Sequence, residues 1–203
     1  DPIYSLGVFN NELYGGTTTM FVPTAPDLVI KLTGNAWSGT GSLIYGSIHA
    51  LNEYNSELYV AGFIQAPDGY NIIKSDGSNW SGLNQGIIDT TISLPAVSAL
   101  AEYNGDIYVG GSFASAGNLP PSNNIAKWNG TTWSALGSGI AGVYAVNALC
   151  TYNTELYVGG CFNTAGGINA NNIAKWTVTT GINDNNIDFK NNLSVYPNPL
   201  TTQ

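Results

Sequence analysis

Charged side chains that could take part in chemistry recur at fixed positions along this chain of 203 residues. Four of the five lysines share one position of an internal repeat, and four acids share another, just before a recurring tyrosine. The lysines are Lys31, Lys74, Lys127 and Lys175, and the acids are Glu12, Glu57, Asp106 and Glu155. One interpretation is structural, with lysine stems along apolar neighbours and ammonium groups reaching carboxylates. The alternative is a ring of lysines that captures an anion.

Few other residues could support catalysis. His49 is the only histidine, there is no arginine, and the sequence has no phosphate-binding loop, nucleophile elbow or metal-spaced cluster. We expect His49 to be a packed strand residue rather than a ligand or a base. Residues 184–188 carry oxygen ligands but lack the turn glycine of a calcium loop. The sequence therefore predicts no catalytic residues, no metal and no cofactor.

The two cysteines are predicted to stay free. If a hairpin turns at residues 153–154, Cys150 faces Tyr157 and Cys161 faces Val146, which puts the thiols ~13 Å apart along the strands. A disulfide needs Cα atoms within ~7 Å of each other. We therefore expect two free, largely buried thiols.

Composition excludes several classes of partner. Only 9% of the residues are charged and 43% are apolar, which excludes an intrinsically disordered chain. A net charge of −8 without arginine argues against nucleic acid, because lysine and arginine supply the affinity for phosphates. It argues equally against an anionic membrane surface. No stretch approaches the ~20 apolar residues of a transmembrane helix, so no membrane span is predicted.

Four segments align as an internal repeat, and each has a marker tyrosine: Tyr14, Tyr59, Tyr108 and Tyr157. Each repeat is predicted to form four short strands. The first two strands flank a two-residue turn that begins with Asn, a residue that tolerates the positive φ of a type I′ turn. The third strand contains the lysine, as at 125–128 and 173–176, and the fourth begins near Trp37, Trp80 or Trp133. A glycine pair or its remnant follows each marker tyrosine.

This pattern resembles the kelch-like repeats of β-propellers, which place a glycine pair at the end of strand two and a tryptophan in strand four. The resemblance covers residues 1–180, with repeats near 1–46, 47–95, 96–142 and 143–180. It implies an all-β fold, a β-propeller of at least four four-stranded antiparallel blades of about 45–49 residues. The last repeat lacks the fourth-strand tryptophan. We therefore expect an incomplete ring in a fragment of a longer protein, with a four-bladed ring as the alternative.

The carboxyl end has a different composition. Residues 181–192 are polar and are predicted to form a linker, and 193–199 would be a short strand stopped by prolines. Val195, Tyr196, Pro197, Asn198 and Pro199 resemble the start of the C-terminal sorting domain of the type IX secretion system, which would occupy 193–203. The resemblance implies that the type IX translocon is a partner. It also implies a protein secreted by, or attached to the outer surface of, a Gram-negative bacterium of the Bacteroidota type.

Ligand binding is predicted in the longer connections between strands, because a propeller brings them to one face and variable loops on a rigid scaffold often bind ligands. The candidate residues are Met20, Phe21, Asp68, Tyr70, Asp89, Asn118 and Asn169. The preferred function is a noncatalytic extracellular binding or adhesion module for a glycan or a protein. The alternatives are a fragment of a secreted carbohydrate-active enzyme with its catalytic groups outside this chain, and a structural surface protein.

Overall fold

A computed structural model describes residues 2–19, 28–41, 44–66, 69–88, 96–142, 145–183 and 186–195. These residues form 21 β-strands and no helix, which confirms the all-β prediction. The first two repeats contain β1 (Ile3–Phe9), β2 (Glu12–Thr19), β3 (Val29–Thr33), β4 (Ala36–Gly39), β5 (Tyr45–Tyr54), β6 (Glu57–Ala66), β7 (Gly69–Ser75), β8 (Trp80–Gly82) and β9 (Ile87–Ile88). The third contains β10 (Ala96–Tyr103), β11 (Asp106–Ser112), β12 (Ser115–Ala116), β13 (Ile125–Trp128), β14 (Trp133–Ala135) and β15 (Ile140–Ala141). The fourth contains β16 (Ala148–Tyr152), β17 (Glu155–Gly159), β18 (Thr164–Ala165), β19 (Ile168–Asn169), β20 (Ile173–Asn183) and β21 (Asn186–Val195).

Each repeat pairs four antiparallel strands in chain order: β1 to β4, β5 to β8, then β10, β11, β13 and β14, and finally β16, β17, β20 and β21. The same register recurs in all four, because the marker tyrosine of the second strand always pairs with the lysine of the third. The pairs are Tyr14 with Lys31, Tyr59 with Lys74, Tyr108 with Lys127 and Tyr157 with Lys175. The predicted four strands are therefore present within the first three repeats, whereas the fourth strand of the last repeat, β21, lies beyond residue 180, where that repeat was predicted to end. The arrangement of the sheets as propeller blades stays a prediction.

The turn between the first two strands has the predicted conformation in every repeat. Both residues of each turn have positive φ, between 47° and 79°, as a type I′ hairpin requires. The turns are Asn10-Asn11, Asn55-Ser56, Asn104-Gly105 and Asn153-Thr154. Their backbone twist matches the twist of the flanking strands, so each turn sets the register of its hairpin.

Successive sheets pack face to face, with one apolar core between each pair. We call the side of a sheet that packs on the preceding sheet its back face, and the side that packs on the following sheet its front face. The residue before the marker tyrosine lies on the back face, and Leu58, Ile107 and Leu156 are at most 1% exposed there. The marker tyrosine lies on the front face beside an aromatic residue five positions earlier. The ring centroids of these pairs, Phe9–Tyr14, Tyr54–Tyr59, Tyr103–Tyr108 and Tyr152–Tyr157, are 5.5–6.3 Å apart.

The repeats are linked by more backbone pairing than the sequence predicted. Thr18 and Thr19 at the end of β2 pair with Ser47 and Gly46 at the start of β5, so the first two repeats form one eight-stranded sheet. Connections that were predicted as variable loops contain short strands. β9 pairs with β12, and β15 pairs with β18. Each of these two pairs joins the end of one repeat to the connection between the second and third strands of the next repeat.

The segment predicted as a linker lies in a hairpin. β20 continues past the fourth sheet and pairs with β21 from Ala174–Val195 to Asn183–Asn186. Residues 181–183 and 186–192 are therefore strands rather than irregular chain. The local reason is that antiparallel backbone pairing does not require apolar side chains. Whether a domain boundary falls here stays a prediction.

Candidate binding site

Three of the seven predicted ligand-binding residues lie in the described part of the chain. Tyr70 is in β7 and is 50% exposed. Asn118 follows β12, Asn169 ends β19, and both are exposed. Asn118 and Asn169 lie in the connection between the second and third strands of repeats three and four, whereas Tyr70 lies at the start of the third strand of repeat two. Met20, Phe21, Asp68 and Asp89 lie outside the described residues, as do Tyr196, Pro197, Asn198 and Pro199 of the sorting motif, whose Val195 ends β21.

The connections are held in place by asparagines that the sequence analysis did not single out. Asn71 has a φ of 62°, and its side chain accepts a hydrogen bond from the Ile64 amide and donates one to the Ile87 carbonyl. Asn124 repeats this arrangement with a φ of 68°, accepting from the Phe113 amide and donating to the carbonyl of Ile140. The available signal was the recurring Asn-Ile-Xaa-Lys at the start of strand three, which also includes Asn172. These side chains therefore connect, by hydrogen bonds, the end of the second strand of a repeat to the short strand that follows its fourth strand.

The four lysines bind the four acids, as the structural interpretation of the sequence predicted. The Nζ–carboxylate distances are 2.5–3.1 Å for the pairs Lys31–Glu12, Lys74–Glu57, Lys127–Asp106 and Lys175–Glu155. In three of the sheets the marker tyrosine hydroxyl also donates to the acid: Tyr14 to Glu12, Tyr59 to Glu57 and Tyr157 to Glu155. The lysine charge is thus compensated within each sheet, which leaves the alternative of an anion-capturing ring without support.

A cleft of about 200 Å³ opens between the first and second sheets. Its walls are Phe9, Tyr14 and Leu58, and its half-buried edge is Trp80. Polar groups from Lys31, Thr40 and Ser78 line the remainder. Aromatic walls with a few polar groups at the rim are typical of small-molecule sites, although this cleft is smaller than the ~300–1,000 Å³ of a drug-sized pocket.

The cleft exists because of a serine. In the third repeat Trp128 follows the strand-three lysine and pairs in register with Trp133, with ring centroids 5.1 Å apart. In the second repeat the corresponding pair is Ser75 with Trp80. The Ser75 hydroxyl is buried and accepts a hydrogen bond from the Gly77 amide, so it cannot fill the volume of an indole. The space that two indoles occupy in one repeat is therefore partly open in the other.

The ionisable groups of the cleft keep one protonation state near neutral pH. Burial raises the pKa of Tyr14 above 10.0, so its hydroxyl stays protonated. The hydrogen bond to Glu12 raises the pKa of Lys31 above 10.5, so the ammonium group stays charged. Lys31 can donate a hydrogen bond to a ligand and the Tyr14 oxygen can accept one, but neither group exchanges a proton readily at neutral pH.

His49 and the cysteines differ in part from expectation. His49 lies in β5 as predicted, but at a β-bulge where its side chain is exposed, with Nδ1 3.2 Å from the Val97 carbonyl oxygen. Cys150 pairs with Tyr157 and both thiols are free, as predicted. The prediction that they are buried is wrong, since both are exposed. Cys150 occupies the position of Ala101 in the third repeat, which is buried because a following sheet covers it.

Two features are absent from the described residues. No group of three or more His, Cys, Asp or Glu side chains could hold a metal ion in this part of the chain. Within the same ranges, no helix has the length and apolarity needed to cross a membrane.

Comparison with known proteins identifies no family. No protein-family model matches the chain. No curated protein matches it either. Among solved structures, the crystal structure of the extracellular domain of a putative one-component system from B. thetaiotaomicron aligns with a TM-score of 0.42 and 11% sequence identity. The alignment covers 88% of this chain and 28% of that one, so the chain spans less than a third of that structure.

Proposed function

We propose that this chain is a noncatalytic extracellular binding module, built as part of a kelch-like propeller, that holds a sugar ring of a glycan in the cleft between its first two sheets. The observation that carries the proposal is the replacement of an indole by Ser75, which opens the cleft beside Trp80. The indole ring of Trp80, at the edge of the cleft, can stack on the apolar face of a sugar. Lys31, Thr40 and Ser78 can bond its hydroxyls.

Export through the type IX system belongs to the same proposal. Its support is the segment from Val195 to Pro199 and the resemblance of that segment to the start of a sorting domain. A binding module on the outer surface meets extracellular glycans directly. The exposed Tyr70, Asn118 and Asn169 lie at the other ends of the strands, so they would serve a contact separate from the cleft.

Filling the cleft tests the function directly. We expect the chain to bind neutral oligosaccharides on a glycan array. Ser75→Trp should abolish this binding, because it gives position 75 the indole that occupies the equivalent space in the third repeat. Trp80→Ala should weaken binding at least about tenfold, which corresponds to the ~1.4 kcal/mol expected from a lost stacking contact. Affinities measured by tryptophan fluorescence titration would quantify both effects.

The control is Trp37→Ala, which removes the tryptophan at the same repeat position in the first sheet but outside the cleft. It should leave the affinity unchanged. Thermal unfolding of each variant separates loss of binding from loss of folding. If the array shows no ligand, or if a folded Ser75→Trp binds as well as the original chain, the proposed site is wrong.

A further inference from the structure

One wall of the cleft between the first two sheets is a row of three side chains. In the second sheet Leu58 pairs in register with Ser75, and Ser75 pairs with Trp80. Residues that pair directly share a face of the sheet, so the row lies on the back face, where Leu58 is buried. Because neighbouring strands lie ~4.8 Å apart, the row spans about 10 Å from the half-buried Trp80 to the interior.

The opposite wall belongs to the front face of the first sheet. Tyr14 pairs with Lys31, and the ring centroid of Phe9 lies 5.9 Å from that of Tyr14. Phe9 and Leu58 are each 1% exposed and both line the cleft, so its inner end is apolar on both sides. A ligand group that reaches this end must itself be apolar, because a polar atom there would lose its hydrogen bonds to water.

Between the edge and the inner end, the two walls offer complementary polar atoms. The Ser75 hydroxyl accepts a hydrogen bond from the Gly77 amide. Its own hydrogen has no acceptor within the described ranges and can be donated to a ligand. The Tyr14 hydroxyl donates its hydrogen to Glu12, which leaves its oxygen as an acceptor. The second sheet thus supplies a donor and the first sheet supplies an acceptor.

An acetamido group matches this arrangement. The N–H and C=O of a trans amide point in opposite directions, so the N–H can bond the Tyr14 oxygen while the C=O accepts from Ser75. The methyl group at its end can pack on Phe9 and Leu58. A sugar hydroxyl ends at its oxygen and would leave the apolar inner end unfilled. The methyl group of a 6-deoxy sugar would leave both polar atoms without a partner.

We propose that the sugar in the cleft is an N-acetylated amino sugar, whose ring stacks on Trp80 and whose acetamido group extends past Ser75 to the apolar inner end. This inference rests on the proposed function and names the class of sugar that the cleft takes. Lys31, Thr40 and Ser78 remain at the rim for the ring hydroxyls. An amino sugar without the acetyl group would bring an ammonium group towards that of Lys31.

Disaccharides that differ only in this substituent test the proposal. N,N′-diacetylchitobiose carries acetamido groups where cellobiose carries hydroxyl groups, and the linkage and the other hydroxyls are the same. We expect the intact chain to bind the acetylated disaccharide at least about tenfold more tightly in tryptophan fluorescence titrations. Chitobiose without acetyl groups should bind no more tightly than cellobiose, because Lys31 repels its ammonium groups.

Variants of the two walls show whether the amide hydrogen bonds cause the preference. Ser75→Ala removes the donor and Tyr14→Phe removes the acceptor, and each should lower the ratio of the two affinities at least about threefold. The matched controls are Ser81→Ala, on the opposite face of the second sheet, and Tyr59→Phe, whose hydroxyl donates to Glu57 as that of Tyr14 does to its acid. Both controls lie outside the cleft and should leave the ratio unchanged. Thermal unfolding shows whether each variant is folded.

The outcomes separate this inference from the proposed function. If the chain binds no glycan, both are wrong. If it binds the acetylated disaccharide and cellobiose equally and Ser75→Trp abolishes the binding, the cleft is a sugar site and only this inference is wrong. A preference that persists in Ser75→Ala and Tyr14→Phe would overturn it, because the amide would then be recognised elsewhere. Equal affinity for methyl rhamnoside, a 6-deoxy sugar, and methyl N-acetylglucosaminide would do the same.

Discussion

The lysines lie in strands, and their ion pairs depend on one register. In every sheet the marker tyrosine pairs with the lysine across the ladder, and the acid two residues before the tyrosine reaches the same ammonium group. Partly exposed pairs of this kind contribute about 0–1 kcal/mol each. A one-residue slip would move the lysine to the opposite face of the sheet and break the pair. The pairs therefore favour the correct register more than they add stability.

Loss of one pair should change the response of the protein to acid. The hydrogen bond from Lys175 lowers the pKa of Glu155 below 4.5. A carboxyl group with a lower pKa in the folded state stabilises the fold above its unfolded pKa, and this contribution is lost as pH falls through the folded pKa. Glu155→Gln should therefore reduce the decrease in unfolding free energy between pH 7 and about pH 3. Urea denaturation at several pH values measures it.

Glu53→Gln serves as the control for this experiment, because Glu53 is an exposed acid of β5 outside the four pairs. Glu53→Gln should change the decrease in unfolding free energy between pH 7 and about pH 3 less than Glu155→Gln does. Equal acid dependence in Glu155→Gln and the original chain would contradict the assigned cause.

Sequence reasoning at the residue scale worked where a position recurs and failed where its surroundings change. The lysine–acid pairs could be predicted because the same two residue types recur four times at fixed spacing. The exposure of Cys150 could not, because its position is buried only where another sheet follows. Knowing the repeat position of a residue is not sufficient without knowing its neighbours in space.

The hairpin turns are the elements that the sequence specifies best. Asn begins all four, and the turns have positive φ at both residues whether the second residue is Asn, Ser, Gly or Thr. Short strands such as β9, β12 and β18 are only two residues long, which is too short for any period of apolar residues to show. The β20–β21 hairpin was missed because asparagine-rich segments have low β-propensity. Local signals thus gave the tight turns but not the strands that depend on pairing.

Thr154 should be the most strained of the second turn residues, because it is β-branched and has a φ of 60°. Thr154→Gly would give the Asn-Gly sequence of the third repeat. The left-handed conformation costs a non-glycine residue ~1–2 kcal/mol, and the larger entropy that glycine loses on folding offsets part of this gain. We therefore expect Thr154→Gly to stabilise the chain by about 1 kcal/mol. Urea denaturation measures the difference.

The reverse change, Gly105→Thr, should destabilise the chain by a similar amount, because Gly105 has a φ of 79°. A Cβ atom at Gly105 meets no neighbour within 4 Å, so steric collision does not contribute. Stabilisation by both changes, or by neither, would show that φ at the second turn position does not control hairpin stability.

Within the described residues the sheets lie in a row, and each packs on the sheet that follows it. The first strands of successive repeats lie side by side, β1 with β5, β5 with β10 and β10 with β16, and the three cores lie between the sheets. In such an array stability is a sum of repeat and interface contributions. The repeat could be predicted from sequence. The cleft and its volume could not be predicted, because the volume depends on the separation of two sheets as well as on Ser75.

Equivalent residues should therefore differ in importance according to which sheet they occupy. Leu58→Ala removes a side chain buried between two sheets and should cost about 2–5 kcal/mol. Leu13→Ala, at the same position on the partly exposed back face of the first sheet, should cost less than about 1 kcal/mol. Urea denaturation of dilute protein, where chains are separate, measures both. Equal losses would argue against a nearest-neighbour array.

The alternation of small and branched residues across the sheets also has a consequence for how such a chain can change its length. Gly16 receives Ile48, and Gly110 receives Val146, so every junction between sheets follows the same rule. A whole repeat that is duplicated or deleted recreates this junction on both of its sides without any further substitution. A partial repeat would leave a sheet without some of the strands that form these junctions and would need many compensating changes. Descendants of this sequence can thus gain or lose whole sheets with less disturbance to folding than other changes in length would cause.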